Sequence, residues 1–405
     1  MINQLIHRLL RRRHFWRYAT FSEVAELYAS RTMRFFALRM MTTFTSIYLL
    51  QIGYSLLFIC LFWAGFYGLK AVIAWPAAKI VALIGPKHVT LLSNILAAVS
   101  MLFLPLVSGE NGTTYLMIWA IIQGISGTFY MIAYNVDFSK VKSPEHAGKE
   151  LAYMNILEKV SNGLAPVVGG LLATFFNPEL VMYISSVLFL VAAVPLFKTG
   201  EPVMIHQKLS FRGFPWRSTW RSLTANGVIG VDTFISANAW TFFLAIVVFA
   251  GSGTAIYAQV GAVTSVTVVA ALAASYVFGR IIDRRQGRSL LRYGVLLNSL
   301  VHVFRAFIST PIGVVMTNLM NEIATTAYNM AFTRGQFDLA DITGKRIVYL
   351  YFCEVISCFG AMIAALLLAL LLVDLPDARA LTIFFIICSI ITLFIATPRF
   401  PLYKK

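Results

Sequence analysis

The sequence predicts an all-α polytopic membrane protein with twelve transmembrane helices arranged as two pseudo-symmetric six-helix bundles. Three observations lead there: composition, the placement of the cations, and an internal repeat. Of the 405 residues, 59% are hydrophobic and only 12% are charged, whereas soluble domains carry about 25% charged residues. A soluble protein of this composition would expose large apolar patches, which excludes a water-soluble enzyme and a nucleic-acid-binding module. The net charge of +16 is topology. All of the 33 Lys and Arg except Arg39, Lys70, Lys159, Arg305 and Arg379 fall on every second connection between apolar runs or on the termini. That alternation is the positive-inside rule and predicts a multi-pass protein of the cell membrane with both termini cytoplasmic.

Taken in order, residues 1–32 form a basic N-terminal segment. Ile2, Leu5, Ile6, Leu9 and Trp16 share one helical face with Arg on the others, as in a helix lying on an anionic leaflet. Thr20 and Glu23 have the spacing of a capping box. Spans follow at 33–54, 55–80, 88–108, 113–137, 150–175 and 177–197, making a first bundle over 33–197. A polar cytoplasmic linker occupies 198–226. Spans at 227–251, 254–281, 288–308, 311–334, 345–373 and 376–398 make a second bundle over 227–398, and 399–405 is a cytoplasmic tail. Each span supplies the roughly 20 residues that a ~30 Å hydrocarbon core requires. The external loops are minimal. Cys60, Cys353, Cys358 and Cys388 all lie within apolar runs and read as buried small hydrophobes; no metal site or cofactor is predicted.

The halves repeat. Ala133-Tyr134-Asn135-Val136-Asp137-Phe138-Ser139-Lys140 matches Ala327-Tyr328-Asn329-Met330-Ala331-Phe332-Thr333-Arg334, and Gly148, Lys149, Tyr153, Glu158 and Ser161 match Gly344, Lys345, Tyr349, Glu354 and Ser357. A duplicated bundle with its pseudo-axis along the membrane normal produces this pattern. Between spans 8 and 9, Gly279-Arg280-Ile281-Ile282-Asp283-Arg284-Arg285-Gln286-Gly287-Arg288 resembles the signature of the major facilitator superfamily, with one extra residue before the second Gly. The corresponding loop of the first half keeps Gly85-Pro86-Lys87 but has Val81 at the acidic position. The resemblance, which the motif, the topology and the repeat extend over nearly the whole chain, implies a transporter in which spans 1, 4, 7 and 10 line a central cavity.

A charge in mid-bilayer costs roughly 2.5–3.5 kcal/mol on insertion scales, so charges kept there face a partner or a wet cavity. By the resemblance, Arg39, Asp232 and Glu322 are cavity residues. Arg39, Thr42 and Ser46 share a helix face, as do Asp232, Ser236 and Trp240, which independently marks two wet stripes. Gln123, Tyr130 and Tyr134, with Phe129, are expected in the pocket wall. Glu322, Glu354, Glu158 and Asp232 are the proton-coupling candidates, because burial disfavours a charged carboxylate; the competing reading makes each a structural partner of Arg39, Lys70 or Lys159. His302 and Arg305 lie on span 9, which the resemblance makes peripheral. Gly279, Asp283, Arg284, Gly287, Arg288 and Arg334 are the gating candidates, Asp283 pairing with Arg334 as a latch.

The expected function is that of a monomeric secondary active transporter moving a small molecule by alternating access with proton coupling. No nucleotide-binding loop is present to supply ATP energy. The alternatives are an uncoupled facilitator or amphiphile exporter of the same fold and, more remotely, an intramembrane enzyme or a receptor. The six scattered His and the short external loops speak against the last two.

Overall fold

The computed structural model describes residues 21–141, 147–197, 205–284 and 286–403. The N-terminal amphipathic segment up to residue 20 lies outside the described residues. Helices account for nearly all of the rest. α1 (Phe21–Gln51) ends at a turn where Gly53 takes a positive φ of 99°. α2 (Leu56–Ile84) starts at Ser55, whose hydroxyl accepts from the Phe58 amide, and stops at Gly85, again at positive φ. α3 (Pro86–Ser108) opens on a proline, whose missing N–H costs nothing in the first turn. α4 (Gly112–Val141) and α5 (Ala147–Phe175) follow. α6 (Pro178–Leu196) is capped by the Asn177 side chain, whose Oδ1 accepts from the Leu180 amide at 2.7 Å.

The second half holds α7 (Trp216–Val248), α8 (Ala255–Ile282), α9 (Gly287–Arg305), α10 (Pro311–Ile342), α11 (Arg346–Asp374) and α12 (Asp377–Ala396). Among the described residues, eight helices are long and apolar enough to cross a membrane: α2, α3, α4, α6, α7, α8, α11 and α12. The other four hold the charges Arg31, Arg34, Arg39, Glu158, Lys159, Arg305 and Glu322. Helix boundaries run beyond the expected spans where the chain leaves the apolar zone. α1 begins at least twelve residues before position 33, and α7 takes in 216–226, assigned from sequence to the linker. Two stretches of α7, Ile235–Ala239 and Leu244–Val248, are wound as π-helix, a geometry found mostly at functional positions.

Packing runs across the halves as well as within them. α2 lies along α11, and α5 lies along α8 and α1; α3 packs on α4, α7 on α11, and α9 on α10. Glycines make the closest approaches possible. A Cβ on Gly170 of α5 would stand 2.6 Å from the Tyr257 carbonyl oxygen of α8, and one on Gly261 of α8 would stand 2.8 Å from the Pro166 carbonyl oxygen of α5. Within the second half, a Cβ on Gly230 or Gly360 would overlap the backbone of the facing helix. Small residues at helix interfaces suit a lipid environment, where van der Waals packing replaces the hydrophobic drive.

At one end, the basic end, the linker spans the two halves. The amides of His206 and Gln207 donate to the carbonyls of Leu83 and Ala82 at the close of α2, and Lys345 donates to the carbonyls of Ser210 and Arg212 just before α11. At the opposite end, Tyr257 of α8 donates to Gln51 of α1 at 2.6 Å, and Gln51 donates to the Gly253 carbonyl at 2.9 Å.

Candidate functional site

Two ion pairs cross the centre between the halves. Lys159 Nζ of α5 meets Glu322 Oε2 of α10 at 2.5 Å, and Lys70 Nζ of α2 meets Glu354 Oε1 of α11 at 3.2 Å. Cys358, one turn along α11, donates its thiol to the same Glu354 oxygen at 3.5 Å. Arg39 donates from Nε to Asn162 Oδ1 at 3.1 Å and stands within electrostatic reach of Glu158 and Glu322. Tyr67 lies beside Lys70, whose ammonium is 5.9 Å from its ring centroid, and its hydroxyl accepts from Asn238 of α7 at 3.4 Å. Asn162, one helical turn along α5 from Lys159, is the residue that meets Arg39 of α1.

The first half holds a second cluster nearer the basic end. Arg31 pairs with Glu158, donates to the Tyr130 hydroxyl at 3.3 Å, and stacks 3.6 Å from the Tyr134 ring centroid. Arg34 is buried between Tyr130, whose ring centroid is 4.0 Å away, and the polar side chains of Asn94, Ser93 and Ser126. Tyr130 and Tyr134 lie one turn apart on α4 and stack at 5.8 Å. Flat guanidinium groups suit such rings better than an ammonium would.

The second half centres on Asp232, which is buried. Its Oδ1 accepts from Asn298 at 2.7 Å and from His302 Nε2 at 2.6 Å, and its Oδ2 accepts from the Tyr328 hydroxyl. On the other edge of the imidazole, Arg305 Nη1 stands 3.4 Å from His302 Nδ1. The two ring nitrogens of His302 therefore face groups of opposite charge, Asp232 on the Nε2 side and Arg305 on the Nδ1 side. The imidazole thus links the guanidinium to the carboxylate. Arg305 also donates to Ser236 at 3.3 Å and covers the Trp240 ring at 4.7 Å, while Trp240 Nε1 donates to Asn318 at 2.9 Å. Ser236 belongs to the first π-helical stretch and Trp240 follows it directly, so the looser winding sets both toward α9 and α10.

The residues picked out from sequence thus fall into three places. Glu322 and Glu354 each pair with a lysine of the other half, and Arg39 binds Asn162. Tyr130, Tyr134 and Glu158 surround Arg31. Asp232 and Trp240 belong to the α7–α9–α10 network. Gln123 instead accepts from Ser100 of α3 at 2.7 Å, inside the first half. Repeat equivalents take different partners: Glu158 pairs within its half and Glu354 across it, Tyr134 carries Arg31 and Tyr328 binds Asp232. His302 and Arg305 were read as peripheral, yet they complete the Asp232 network. Their three-residue spacing with Asn298 one turn before on α9 was the available signal.

Among the gating candidates, Asp283 closes the helical run that follows Val268, and its side chain lies outside the described residues, so the Asp283–Arg334 latch does too. Gly279 is buried, Arg284 is exposed, and Arg334 is partly buried near the end of α10. Gly287 lies against the Tyr403 ring, where a Cβ would overlap it, and Tyr403 donates to the Ala331 carbonyl at 2.9 Å. Arg288 lines a cavity of about 160 Å³ there with Arg399, Phe400 and Tyr403.

Comparison with known proteins adds the following. The Major Facilitator Superfamily model matches residues 27–335. A curated relative, the uncharacterized MFS-type transporter YitZ of Bacillus subtilis (strain 168), is 23% identical over 137 residues, which are 34% of this chain and 82% of that protein. The human organic anion transporter MFSD10 (TETRAN) superposes with a TM-score of 0.69 at 12% identity, covering 93% of this chain and 99% of that one. The E. coli fucose:proton symporter FucP gives 0.66 at 16% identity, covering 92% and 97%. The nucleoside transporter NupG gives 0.67 at 13% identity, covering 94% and 100%.

Proposed function

The chain belongs to the major facilitator superfamily and is a transporter, not an enzyme; from that premise we propose that it moves a small molecule by alternating access, coupled to protons. In this reading α1–α12 are twelve spans in two bundles, the basic end is cytoplasmic together with both termini, and the protein works as a monomer. The observation that carries the proposal is the Lys159–Glu322 pair, a charge contact made between the halves at the centre. Parting the halves on either side removes the cation from the carboxylate. A carboxylate left unpaired in a low-dielectric centre is costly in its charged form, so its protonation is tied to the state of the halves. Asp232, in contact with His302 and Tyr328, offers a second carboxylate with a proton carrier attached. The three structural relatives carry an organic anion, fucose with a proton, and nucleosides by their names, and at 12–16% identity they support the fold and leave the cargo open.

The uncoupled facilitator has its own supporting observation: Glu158, Glu322 and Glu354 all have cationic partners, as purely structural carboxylates would. Reconstitution decides between the two. Glu322→Gln in proteoliposomes under an imposed pH gradient should abolish uphill accumulation and spare exchange. Accumulation against the gradient by the Gln variant would make Glu322 structural and favour the facilitator.

A further inference from the structure

We propose that the cavity at the basic end of the second half binds a phosphate group, that of an acidic membrane lipid or the free anion, between Arg288 of α9 and Arg399 of the C-terminal segment. The cavity measures about 160 Å³ and is lined by Arg288, Leu291, Pro398, Arg399, Phe400 and Tyr403. An ordered water needs about 10–15 Å³, so the space admits a larger group. Two guanidinium groups line it, and no carboxylate does among the described residues. Neither arginine takes an ion pair with a carboxylate among the described residues. Asp341, at the end of α10, is taken by Arg346, and neither Asp338 nor Asp341 lines the cavity. The flanking sequence keeps the same sign: Arg284, Arg285 and Arg292 surround Arg288, and Lys404 and Lys405 follow Arg399, against the single acid Asp283.

The packing of the C-terminal segment builds this cavity. Phe400 lies against Gly335 and Tyr403 against Gly287, where a Cβ on either glycine would overlap the ring. Phe400 also meets Phe332 edge to face at 5.4 Å, and Tyr403 donates to the Ala331 carbonyl at 2.9 Å. These contacts seat 398–403 on α9 and α10 and bring Arg399 to the same space as Arg288. Gln286 gives the first turn of α9 no side-chain cap, so the positive end of the helix dipole adds to the arginines. Guanidinium forks pair with phosphate oxygens two at a time, and a phosphate has oxygens enough for both arginines, where a carboxylate has two.

The surroundings suit a lipid as the source. Exposed apolar side chains continue away from the cavity: Leu296 and Leu300 lie further along α9, and Ile390 and Phe394 precede Arg399 on α12, which packs on α9. A headgroup between the arginines leaves its chains to this lipid-facing surface, and basic pockets at the cytoplasmic side of membrane helices take acidic headgroups. A phosphate held by both arginines ties the C-terminal segment to the first turn of α9. The proposal makes no use of the central ion pairs and stands whether or not transport is coupled to protons.

Thermal unfolding of the full chain in detergent, followed by tryptophan fluorescence, tests the site. The probes are dioctanoyl phosphatidylglycerol, dioctanoyl phosphatidylcholine and inorganic phosphate at matched ionic strength. Phosphatidylglycerol should raise the melting temperature more than phosphatidylcholine, whose choline cation opposes the arginines. A shift with phosphatidylglycerol alone makes the lipid headgroup the source, and a shift with inorganic phosphate makes it the free anion. Arg288→Gln combined with Arg399→Gln should weaken the effective probe roughly tenfold or more by removing both charge-assisted partners. Arg217→Gln combined with Arg221→Gln removes two cations of α7 that do not line the cavity and should leave the affinity unchanged. An absence of any shift, or equal stabilisation by phosphatidylcholine and phosphatidylglycerol, would overturn the proposal. So would unchanged affinity in the Arg288 and Arg399 double variant, or an equal loss in the Arg217 and Arg221 control.

Discussion

Gly170→Ala places one methyl group between α5 and α8 at the end opposite the linker. The new Cβ would stand 2.6 Å from the Tyr257 carbonyl oxygen, 3.1 Å from its carbon and 3.3 Å from Phe44 Cζ. The first two are backbone atoms, so no rotamer change relieves them. Ordinary contact begins near 3.4 Å, and the helices must part by about 0.8 Å to reach it. Overpacking of this kind costs about 1–3 kcal/mol. Because α5 and α8 belong to different halves, the cost falls on the arrangement in which this end is shut and is relieved where it is open. A bias of 1–3 kcal/mol shifts that equilibrium about 5- to 150-fold. Thr174→Cys, one turn further along the same face of α5, serves as reporter: its labelling by an impermeant thiol reagent should accelerate by that factor in the Gly170→Ala background. Gly65→Ala, where a Cβ meets nothing within 4 Å, is the control and should leave labelling unchanged and stability equal or slightly higher. Unaltered labelling in Gly170→Ala, with the protein folded, would refute the assignment of this contact to a closed end.

Cysteines introduced at Ser108 or Asn111 should react with impermeant reagents from outside intact cells, and one at Gln207 only after permeabilisation; the reverse pattern would invert the orientation. Asp232→Asn brings an amide NH2 toward the donors of Tyr328, Asn298 and His302 and should cost about 1–3 kcal/mol for the mismatched buried groups, read as a lower melting temperature together with lost uphill transport. Tyr403→Ala should destabilise by about 2–4 kcal/mol through the cavity left beside Gly287. The pair Tyr403→Ala with Gly287→Ala should be less destabilised than the sum of the singles, since the added methyl group occupies the space the ring leaves; strict additivity in a melting series would contradict the contact.

The all-helical, membrane-spanning character was legible in the sequence because an apolar run needs no partner to be read, and eight of the described helices are long and apolar enough to cross a membrane. The charged residues inside the apolar runs, Arg39, Glu322 and Glu354 among them, were equally conspicuous, because charge is rare where a bilayer is the solvent. Their partners were not. Spacing places Glu322 on a face of α10 but leaves open which helix that face meets, and Lys159 reaches it from 163 residues away. The repeat misled in a similar manner: Glu158 and Glu354 occupy matching positions, but α1 brings Arg31 against Glu158, which therefore pairs within its own half, while Glu354 meets Lys70 of the other. His302 and Arg305 looked peripheral because helix order says little about rotation, and it is the rotation of α9 toward the π-wound part of α7 that brings them to Asp232. Gln123 shows the converse, a polar mid-helix residue satisfied by its neighbour α3.

The linker gives the two halves a mechanical as well as a covalent connection. Two backbone hydrogen bonds fasten it at 206–207 to the last turn of α2, and the Lys345 side chain fastens it at 210–212 to the foot of α11, so it is stapled at two points over the very helices that pack on each other. Any widening of the basic end must first unpin one staple. The lysine is the more adjustable of the two, one flexible side chain reaching two carbonyls against a pair of fixed amides. Slack in the strap, rather than its sequence, would then govern how readily that end widens: inserted residues should leave both staples in place and lower the resistance, while a shortened strap should hold the end shut.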